Sequence, residues 1–370
     1  MADDIDYIPL EEIRLSELCE SARMAELDRY ESYWKSTQEQ YKRYDWNGSL
    51  ISAGMPIAPG WSTIPHSHRR ARTTWQAARI IVNKLTSFGF GYPEIKVEGD
   101  PDAEDFVKEL SKVSRLPMRL IEARGFGGAM GTVCMSFGFI DGMPRIEVHN
   151  AKHVTVTNWI DKSEFKVGSA IKAYKLERQV FEEGKLQTKT FYYARYWDGE
   201  VEKVWDPIPQ KNAEVYGWTN LPHREYRNPS GICPFYWIQN SPDSEALDGF
   251  SDYNELLPEF DEINQLLSAT TKGTIANVDP TLVVRTDPSM NEGTINRGTN
   301  NVIYSLGGAE YLELKGSSQA AAGAQICELK QDVTDAAQVV NVDVNRLGGA
   351  IAASTLKLMY APMIAKCDIL

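Results

Sequence analysis

Two long helical patterns, separated by a short stretch of strand-like sequence, constrain the fold of this chain more than any other feature. The apolar residues that recur at helical spacing are Leu256, Phe260, Ile263 and Leu267 in the first pattern, and Ile326, Leu329, Val333, Ala337, Val340 and Val344 in the second. We therefore predict helices over 251–278 and 317–344. The intervening residues, 279–316, are predicted to hold short strands near TLVV, NVIYSL and AEYLEL.

A pair of glycines follows the second helical pattern. Gly348 and Gly349 lack the side chain that would restrict the backbone, so we expect a sharp or flexible turn over 345–352. Helical sequence resumes at once and continues through 353–370. The C-terminal third is thus predicted to run helix, β segment, helix, glycine turn and helix.

The middle of the chain is predicted to be mainly antiparallel β-sheet. Residues 130–240 alternate between apolar and polar side chains in several short runs. Asp141-Gly142 and Asp198-Gly199 are dipeptides that favour tight hairpin turns. Ahead of these runs, the patterns predict helices over 73–88, 102–114 and from 117 onward, with a short strand at 94–98. The fold class is therefore α+β.

The first 45 residues are predicted to form a helical arm with an aromatic face. Leu27, Tyr30, Tyr33, Trp34 and Tyr41 recur at spacings of three, four and seven. The acidic start, MADDIDYIPLEEIRL, has no apolar core, so a signal peptide is not expected. The stretch of about 18 apolar residues that a membrane span needs is also missing, so no membrane partner is expected.

The charge of the chain bears on its relation to nucleic acids. The 370 residues carry a formal net charge of -12, whereas a protein that reads DNA sequence draws its affinity from neutralising phosphates. A sequence-specific DNA reader is therefore excluded. A channel through which DNA slides is permitted, because an acidic lining keeps phosphates from adhering.

No motif indicates an enzyme or a cofactor. The phosphate-binding pattern GxxxxGK[ST] is missing, and Gly125, Gly127, Gly128 and Gly131 form GxGGxxG, which departs from the dinucleotide fingerprint. We interpret these glycines as allowing a helix to pack closely on a sheet. The five cysteines are dispersed, which is typical of reduced thiols.

The histidines also fail as candidate sites. His66 and His68 lack a third ligand at suitable spacing for a metal. His149 and His153 are predicted to be surface histidines on a strand and turn. Cys134 and Cys233 have no recognisable histidine partner for nucleophilic catalysis. A hydrolase with a pair of catalytic carboxylates stays open as an alternative, since 51 acidic residues always supply some suitable pair.

The order of these segments resembles the portal proteins of tailed bacteriophages, nearest to the siphovirus SPP-one type. The matching segments are RYESYWKSTQEQYKRYDWNG, ARIIVNKLTSFGFGYPEIKVEG, AMGTVCMSFGFIDGMPRIEVHNAKHVTVTNWID, GICPFYWIQNSP with the helix after it, and VNRLGGAIAASTLKLMYAPM. The resemblance implies a wing at 46–250, after the arm at 1–45. It further implies stem helices at 251–278 and 317–344, a clip at 279–316, a tunnel loop at 345–352 and a truncated final helix at 353–370.

The resemblance also implies roles for particular residues. The tunnel loop that contacts DNA would contain Asn345, Arg346, Leu347, Gly348 and Gly349. The stem helices would present Glu255, Glu259, Glu262, Asp332 and Asp335. The clip, which meets other packaging and tail components, would use Arg285, Asp287, Asn291, Glu292 and Arg297.

The expected assembly is a ring of about twelve copies of the chain around double-stranded DNA. Its other expected partners are the major capsid protein, the large terminase subunit and a head–tail adaptor, with no cofactor and no catalytic residue. Another virion structural protein, such as a minor head or connector protein, is the alternative from the same class.

Overall fold

The computed structural model divides the chain into two compact units. The first consists of Met1–Thr37, Gln76–Glu255 and Ala336–Leu370, and the second of Gln38–Trp75 and Leu256–Asp335. The residues that the structure describes are 7–36, 74–89, 96, 99–140, 143–182, 185–243, 246–278, 281–284, 309–312, 317–340 and 353–369.

The first unit opens with helices. They are α1 (Leu15–Cys19), α2 (Ala22–Lys35), α3 (Ala77–Gly89), α4 (Pro101–Val113) and α5 (Leu116–Met130). Two begin at side-chain caps that satisfy free backbone N–H groups: Ser21 accepts from Met24 and Asp100 accepts from Ala103. Along α3, the predicted apolar stripe of Ala78, Ile81, Val82 and Leu85 is buried.

The β part of the first unit consists of two antiparallel sheets. Its strands are β1 (Thr132–Ile140), β2 (Met143–Asn150), β3 (Val154–Asp161), β4 (Lys166–Glu182), β5 (Lys185–Trp197), β6 (Val201–Trp205), β7 (Ile208–Pro209), β8 (His223–Arg227) and β9 (Phe235–Gln239), with α6 (Gln210–Tyr216) after β7. One sheet has the order β2-β1-β9 and the other β3-β4-β5-β6-β8. The prediction of an α+β chain with antiparallel sheets is confirmed.

Both predicted tight turns lie where the pairing requires them. Ile140 pairs with Met143, on either side of Asp141 and Gly142, which themselves lie outside the described residues. At the other turn, Oδ1 of Asp198 accepts hydrogen bonds from the backbone N–H groups of Glu200 and Val201. The turn at Asp198 therefore helps to set the register of β5 and β6.

The larger sheet has an apolar core on each face. On one face, Ile171, Ala173 and Tyr196 pack with Ile13 and Cys19 of the N-terminal segment. The other face meets the smaller sheet, where Trp197 and Val154 pack with Cys134, Phe235 and Trp237. The larger sheet is thus covered by the N-terminal segment on one side and by β2-β1-β9 on the other.

The second unit contains two helices and a strand pair between them. Helix α7 (Leu257–Val278) follows a 3-10 turn at Asn254–Leu256, with Pro258 in its first turn, where proline costs no hydrogen bond. Strands β10 (Thr281–Val284) and β11 (Ala309–Leu312) pair antiparallel, and α8 (Ser317–Ala336) follows them. Helix α9 (Ala353–Ile369) belongs to the first unit.

Helix α8 is shorter than its apolar pattern predicts. The pattern extends to Val344, but the helix ends at Ala336, and Gln338 adopts a left-handed backbone with φ 57°. Val339 is buried after this reversal, so burial outside the helix competes with its continuation. Several predicted features lie outside the described residues: the strand at 94–98, Tyr41, His66, His68, the strand at 301–306 and Val344.

Candidate functional site

The acidic residues predicted on the stem helices lie mainly on solvent-facing surfaces. On α7, Glu262 is exposed, whereas Leu257, Phe260 and Ile263 are buried. Glu259 is half-buried, and its Oε2 atom has no hydrogen-bond partner among the described residues. Glu255 is exposed in the 3-10 turn before α7. Of these three carboxylates, Glu259 is the least available to a ligand.

The acidic face of α8 is more extensive than the sequence predicted. Asp332 and Asp335 are exposed, and Glu328, one turn earlier, extends the same face at spacing i, i+4, i+7. Ile326 and Val333 occupy the opposite, buried face. Glu328 is not among the predicted stem residues, although its spacing from Asp332 and Asp335 places it on the same helical face.

Trp75 links the two helices of the second unit. Its backbone N–H donates to Oδ1 of the buried Asn264 on α7, at 2.6 Å. Its ring packs edge-on against Phe260 at 6.4 Å between centroids. The ammonium of Lys330 on α8 lies 5.2 Å from the same ring, within range of a cation–π interaction. One aromatic side chain therefore contacts both helices.

The two helices also approach each other next to the strand pair. A methyl group at Gly273, near the end of α7, would lie 3.1 Å from Nε2 of Gln319, at the start of α8. The lack of a side chain at Gly273 permits this close approach. The second unit is thus a pair of adjacent helices joined through a small antiparallel β element.

The predicted clip and tunnel-loop residues have no described position in the structure. Arg285, Asp287, Asn291, Glu292 and Arg297, together with Asn345, Arg346, Leu347, Gly348 and Gly349, lie outside the described residues. Their roles stay predictions.

The glycine cluster packs a helix against a neighbouring chain segment. Gly127 and Gly128 lie within α5, and Gly131, with φ 81°, ends it. A side chain on Gly128 would overlap the Arg124 guanidinium and the Asp252 carboxylate, and one on Gly131 would overlap the carbonyl of Gly249. The glycines permit a close approach as expected, but at Gly128 and Gly131 it is to the segment 249–252 and not to a sheet.

Ser136 of β1 and His149 of β2 form a buried hydrogen-bonded pair on the face of the smaller sheet that meets the larger sheet. Ser136 Oγ lies 2.7 Å from Nε2 of His149, and the Lys172 ammonium lies 3.1 Å from Nδ1. Burial first, then the positive charges of Lys172 and Arg195, lowers the pKa of His149 to about 2. The imidazole is therefore neutral. Its Nδ1 atom faces the cation of Lys172, whereas the histidine that activates a catalytic serine has a carboxylate at that position.

This arrangement is the reverse of a nucleophile and its general base. An ammonium group only donates, so Nδ1 of His149 accepts from Lys172, and Nε2 carries the proton that is donated to Ser136. A general base would instead accept the serine proton at Nε2. The Ser136–His149 pair links two strands of the smaller sheet, Lys172 links the imidazole to the larger sheet, and the arrangement does not activate Ser136.

The prediction of surface histidines is wrong for His149, which is 2% exposed. Glu147 and His149 share one face of β2, which alternation predicts to be solvated. That face instead meets Arg195, which contacts Glu147, and Lys172. His153 is half-buried, and this burial is the main reason that its pKa falls to about 4.

Two further classes of site are missing from the described part of the chain. No group of three or more His, Cys, Asp or Glu side chains there is arranged to hold a metal ion. None of the helices described is both long and apolar enough to cross a membrane.

Comparison with known proteins finds similarity among solved structures. No protein-family model matches the chain, and no curated protein does. Among solved structures, a chain described as "Virion of native gene transfer agent (GTA) particle" is similar, with 12% identity and a TM-score of 0.39. The match covers 85% of this chain and 80% of that one.

Proposed function

We propose that this chain is the portal subunit of a tailed double-stranded DNA virus. The observation that carries the proposal is the order of the second unit: helix α7, the antiparallel pair β10 and β11, then helix α8. This is the order of stem, clip and stem that the sequence resemblance implies. The contacts of Trp75 with both helices support their role as one structural element.

In this proposal the exposed acidic faces of the stem helices border the path of the DNA. Glu262 on α7 and Glu328, Asp332 and Asp335 on α8 are exposed. Repeated around a ring, these carboxylates repel phosphates from every side, so DNA passes without adhering. Arg346 in the tunnel loop supplies a light, salt-sensitive grip, because it is the cation in a segment of otherwise uncharged neighbours.

The remaining partners follow from the same proposal. Copies of the chain form the ring, the major capsid protein surrounds it, and the terminase large subunit docks during packaging. A head–tail adaptor later takes the place of the terminase at the clip, where Arg285, Asp287, Asn291, Glu292 and Arg297 lie in the sequence. The chain needs no cofactor for a role as a conduit.

Immunogold labelling of DNA-filled particles that contain this chain tests the proposal. An antibody against the full chain is expected to label one vertex of the head. Labelling spread over the whole shell would indicate a shell or decoration protein and contradict the proposal. Labelling confined to the distal tail would contradict it too.

A further inference from the structure

The residues that follow helix α8 form an irregular segment, 337–340. Ala337 and Val339 are buried, and Gln338 between them adopts a left-handed backbone. The segment belongs to the first unit, together with helices α3 and α9. Its main-chain carbonyl groups therefore need hydrogen-bond donors other than those that a regular helix or sheet supplies.

Two lysines donate to carbonyl groups of this segment. The Lys366 ammonium on α9 lies 3.1 Å from the carbonyl oxygen of Ala337, and the Lys84 ammonium on α3 lies 3.4 Å from that of Val340. Both lysines are half-buried, and burial is the main reason that the pKa of each is lowered. Neither ammonium group is fully solvated, so each depends in part on its backbone acceptor.

The two helices that carry these lysines pack against each other. The rings of Phe88 on α3 and Tyr360 on α9 are stacked, with 5.6 Å between their centroids and 3° between their planes. A methyl group at Gly89 would lie 3.3 Å from the Sγ atom of Cys367, so the lack of a side chain at Gly89 permits this close approach. The two lysines are therefore carried by one packed pair of helices.

The segment 337–340 leads into the predicted tunnel loop, 345–352. Arg346 follows Val340 by six residues, so at most about 20 Å of extended chain separates the two. Beyond the loop, α9 begins at Ala353. A contact that fixes the position of Val340 therefore limits where Arg346 can lie.

We propose that Lys84 and Lys366 form a clamp that fixes the start of the tunnel loop against helices α3 and α9. The clamp limits how far the chain before Arg346 can be pulled from the first unit, so a load on the loop passes to the pair of helices. The lysines are positioning residues. The inference deepens the proposed function and rests on it for the role of the loop, whereas the clamp rests on contacts within the first unit alone.

Trypsin cleavage of the folded full chain after Arg346 measures how firmly the clamp holds. Arg346 is the one Lys or Arg between Lys330 and Lys357, so mass spectrometry assigns the cut directly. Lys366→Met and Lys84→Met keep an aliphatic stem and remove the donor. Each should raise the cleavage rate at least about fivefold, because cleavage follows the population of the open segment and a hydrogen bond from a charged group is lost. The effect should be larger for Lys366, whose contact is shorter.

Two controls separate a local effect from a general loss of structure. Lys357→Met is the matched control variant, because Lys357 is an exposed lysine on the same helix, α9. Cleavage after Lys162, in the exposed turn between β3 and β4, is the internal reference within each variant. Its rate should be the same in wild type and in every clamp variant.

Conservative variants test the donor itself. Lys84→Arg and Lys366→Arg retain a cationic donor, so they should be cleaved after Arg346 more slowly than the corresponding Met variants. Circular dichroism establishes that each variant keeps its fold. Lys84→Gln or Lys366→Gln, with a side chain too short to reach the carbonyl, replaces a Met variant that does not fold.

The possible results divide clearly. Faster cleavage after Arg346 alone, absent from Lys357→Met and reduced in the Arg variants, supports the clamp. Equal cleavage in wild type and in the chain that carries both Lys→Met changes overturns it. Faster cleavage after both Arg346 and Lys162 overturns it as well, because the lysines would then support the fold in general. Arg variants that are cleaved as fast as the Met variants also overturn it.

These results are separable from the proposed function. The assay contains no DNA, and wild type and variants are compared in one assembly state, established by sedimentation velocity. A clamp in a chain that forms no rings would leave the contact intact and contradict the portal. Rings of a chain in which the lysine changes have no effect would leave the portal proposal intact and overturn the clamp.

Discussion

The carboxylate of Asp252 and the guanidinium of Arg124 form a buried ion pair at the point where the chain leaves the β part of the first unit. Nη2 of Arg124 lies 3.2 Å from Oδ1 and 3.0 Å from Oδ2, and the two side chains are 4% and 0% exposed. Asn240 donates a further hydrogen bond to Oδ1. The pair therefore fixes the segment that precedes α7 against helix α5.

Removal of one member of this pair should destabilise the protein strongly. Asp252→Ala leaves the Arg124 cation buried without its partner, which costs about 3–5 kcal/mol in the free energy of unfolding. Denaturant unfolding of the full chain measures the change. The double variant Arg124→Met with Asp252→Leu should recover much of the loss, because no charge stays buried. A loss below about 1 kcal/mol for Asp252→Ala would show that the pair is not buried as described.

A methyl group at Gly128 should disrupt the same pair. Its Cβ would overlap both Arg124 and Asp252, so Gly128→Ala should cost at least about 1–3 kcal/mol through forced rearrangement. Gly138→Ala is the control, since a Cβ there meets nothing within 4 Å. Thermal unfolding of the two variants should differ clearly. Equal unfolding temperatures would contradict the close packing at Gly128.

Acidification should lower the stability of the protein because the imidazole of His149 is buried. Its pKa falls from 6.5 to about 2 in the folded protein, so below pH 6.5 the unfolded chain binds a proton that the folded chain does not. Stability should therefore fall as the pH drops from 6.5, by up to about 1.4 kcal/mol per pH unit from this group. Unfolding of wild type and His149→Gln between pH 7.5 and pH 4.5, roughly the range in which the unfolded histidine gains its proton, measures the slope.

The slope, and not the stability at one pH, is the informative quantity. His149→Gln should flatten it, while His153, whose pKa is about 4, continues to contribute. His223→Gln, on an exposed strand, is the control. An identical slope in wild type and His149→Gln would mean that His149 is solvated in the folded protein.

Reversal of the acidic face of α8 should make the assembly bind DNA. Glu328, Asp332 and Asp335 changed together to Lys should raise affinity for double-stranded DNA at least about tenfold at low salt, and the gain should disappear as salt rises. The control changes Glu200, Asp206 and Glu225 to Lys, which alters the net charge equally at exposed positions elsewhere. Equal gains in both variants would mean that this face does not border the DNA.

The elements of this fold were largely predictable, because their signals are local. The Asp141-Gly142 dipeptide predicted the pairing of β1 with β2, and the stripe of Ile81, Val82 and Leu85 predicted the buried face of α3. The end of α8 was not predictable, since apolar spacing continues past Ala336 while Gln338 reverses the backbone. Val339 is buried in the non-helical segment that follows this reversal, and its burial is not encoded in the local apolar spacing.

The candidate surfaces were less predictable than the elements. The burial of His149 depends on Lys172 and Arg195, which lie on another sheet, so alternation along β2 alone indicated the wrong side. The acidic residues of α8 could be found from spacing once the helix was assumed. Phe181 and Leu186 are exposed because β4 and β5 extend beyond the ends of the neighbouring strands. No local sequence pattern encodes this difference in strand length.

Electron microscopy of the purified full chain tests the central claim most directly. A conduit for DNA must surround it, so images averaged along the symmetry axis should show closed rings of about twelve copies with a central opening. Monomers, two-fold dimers or open filaments as the only species, at concentrations where the chain is assembled, would contradict the account.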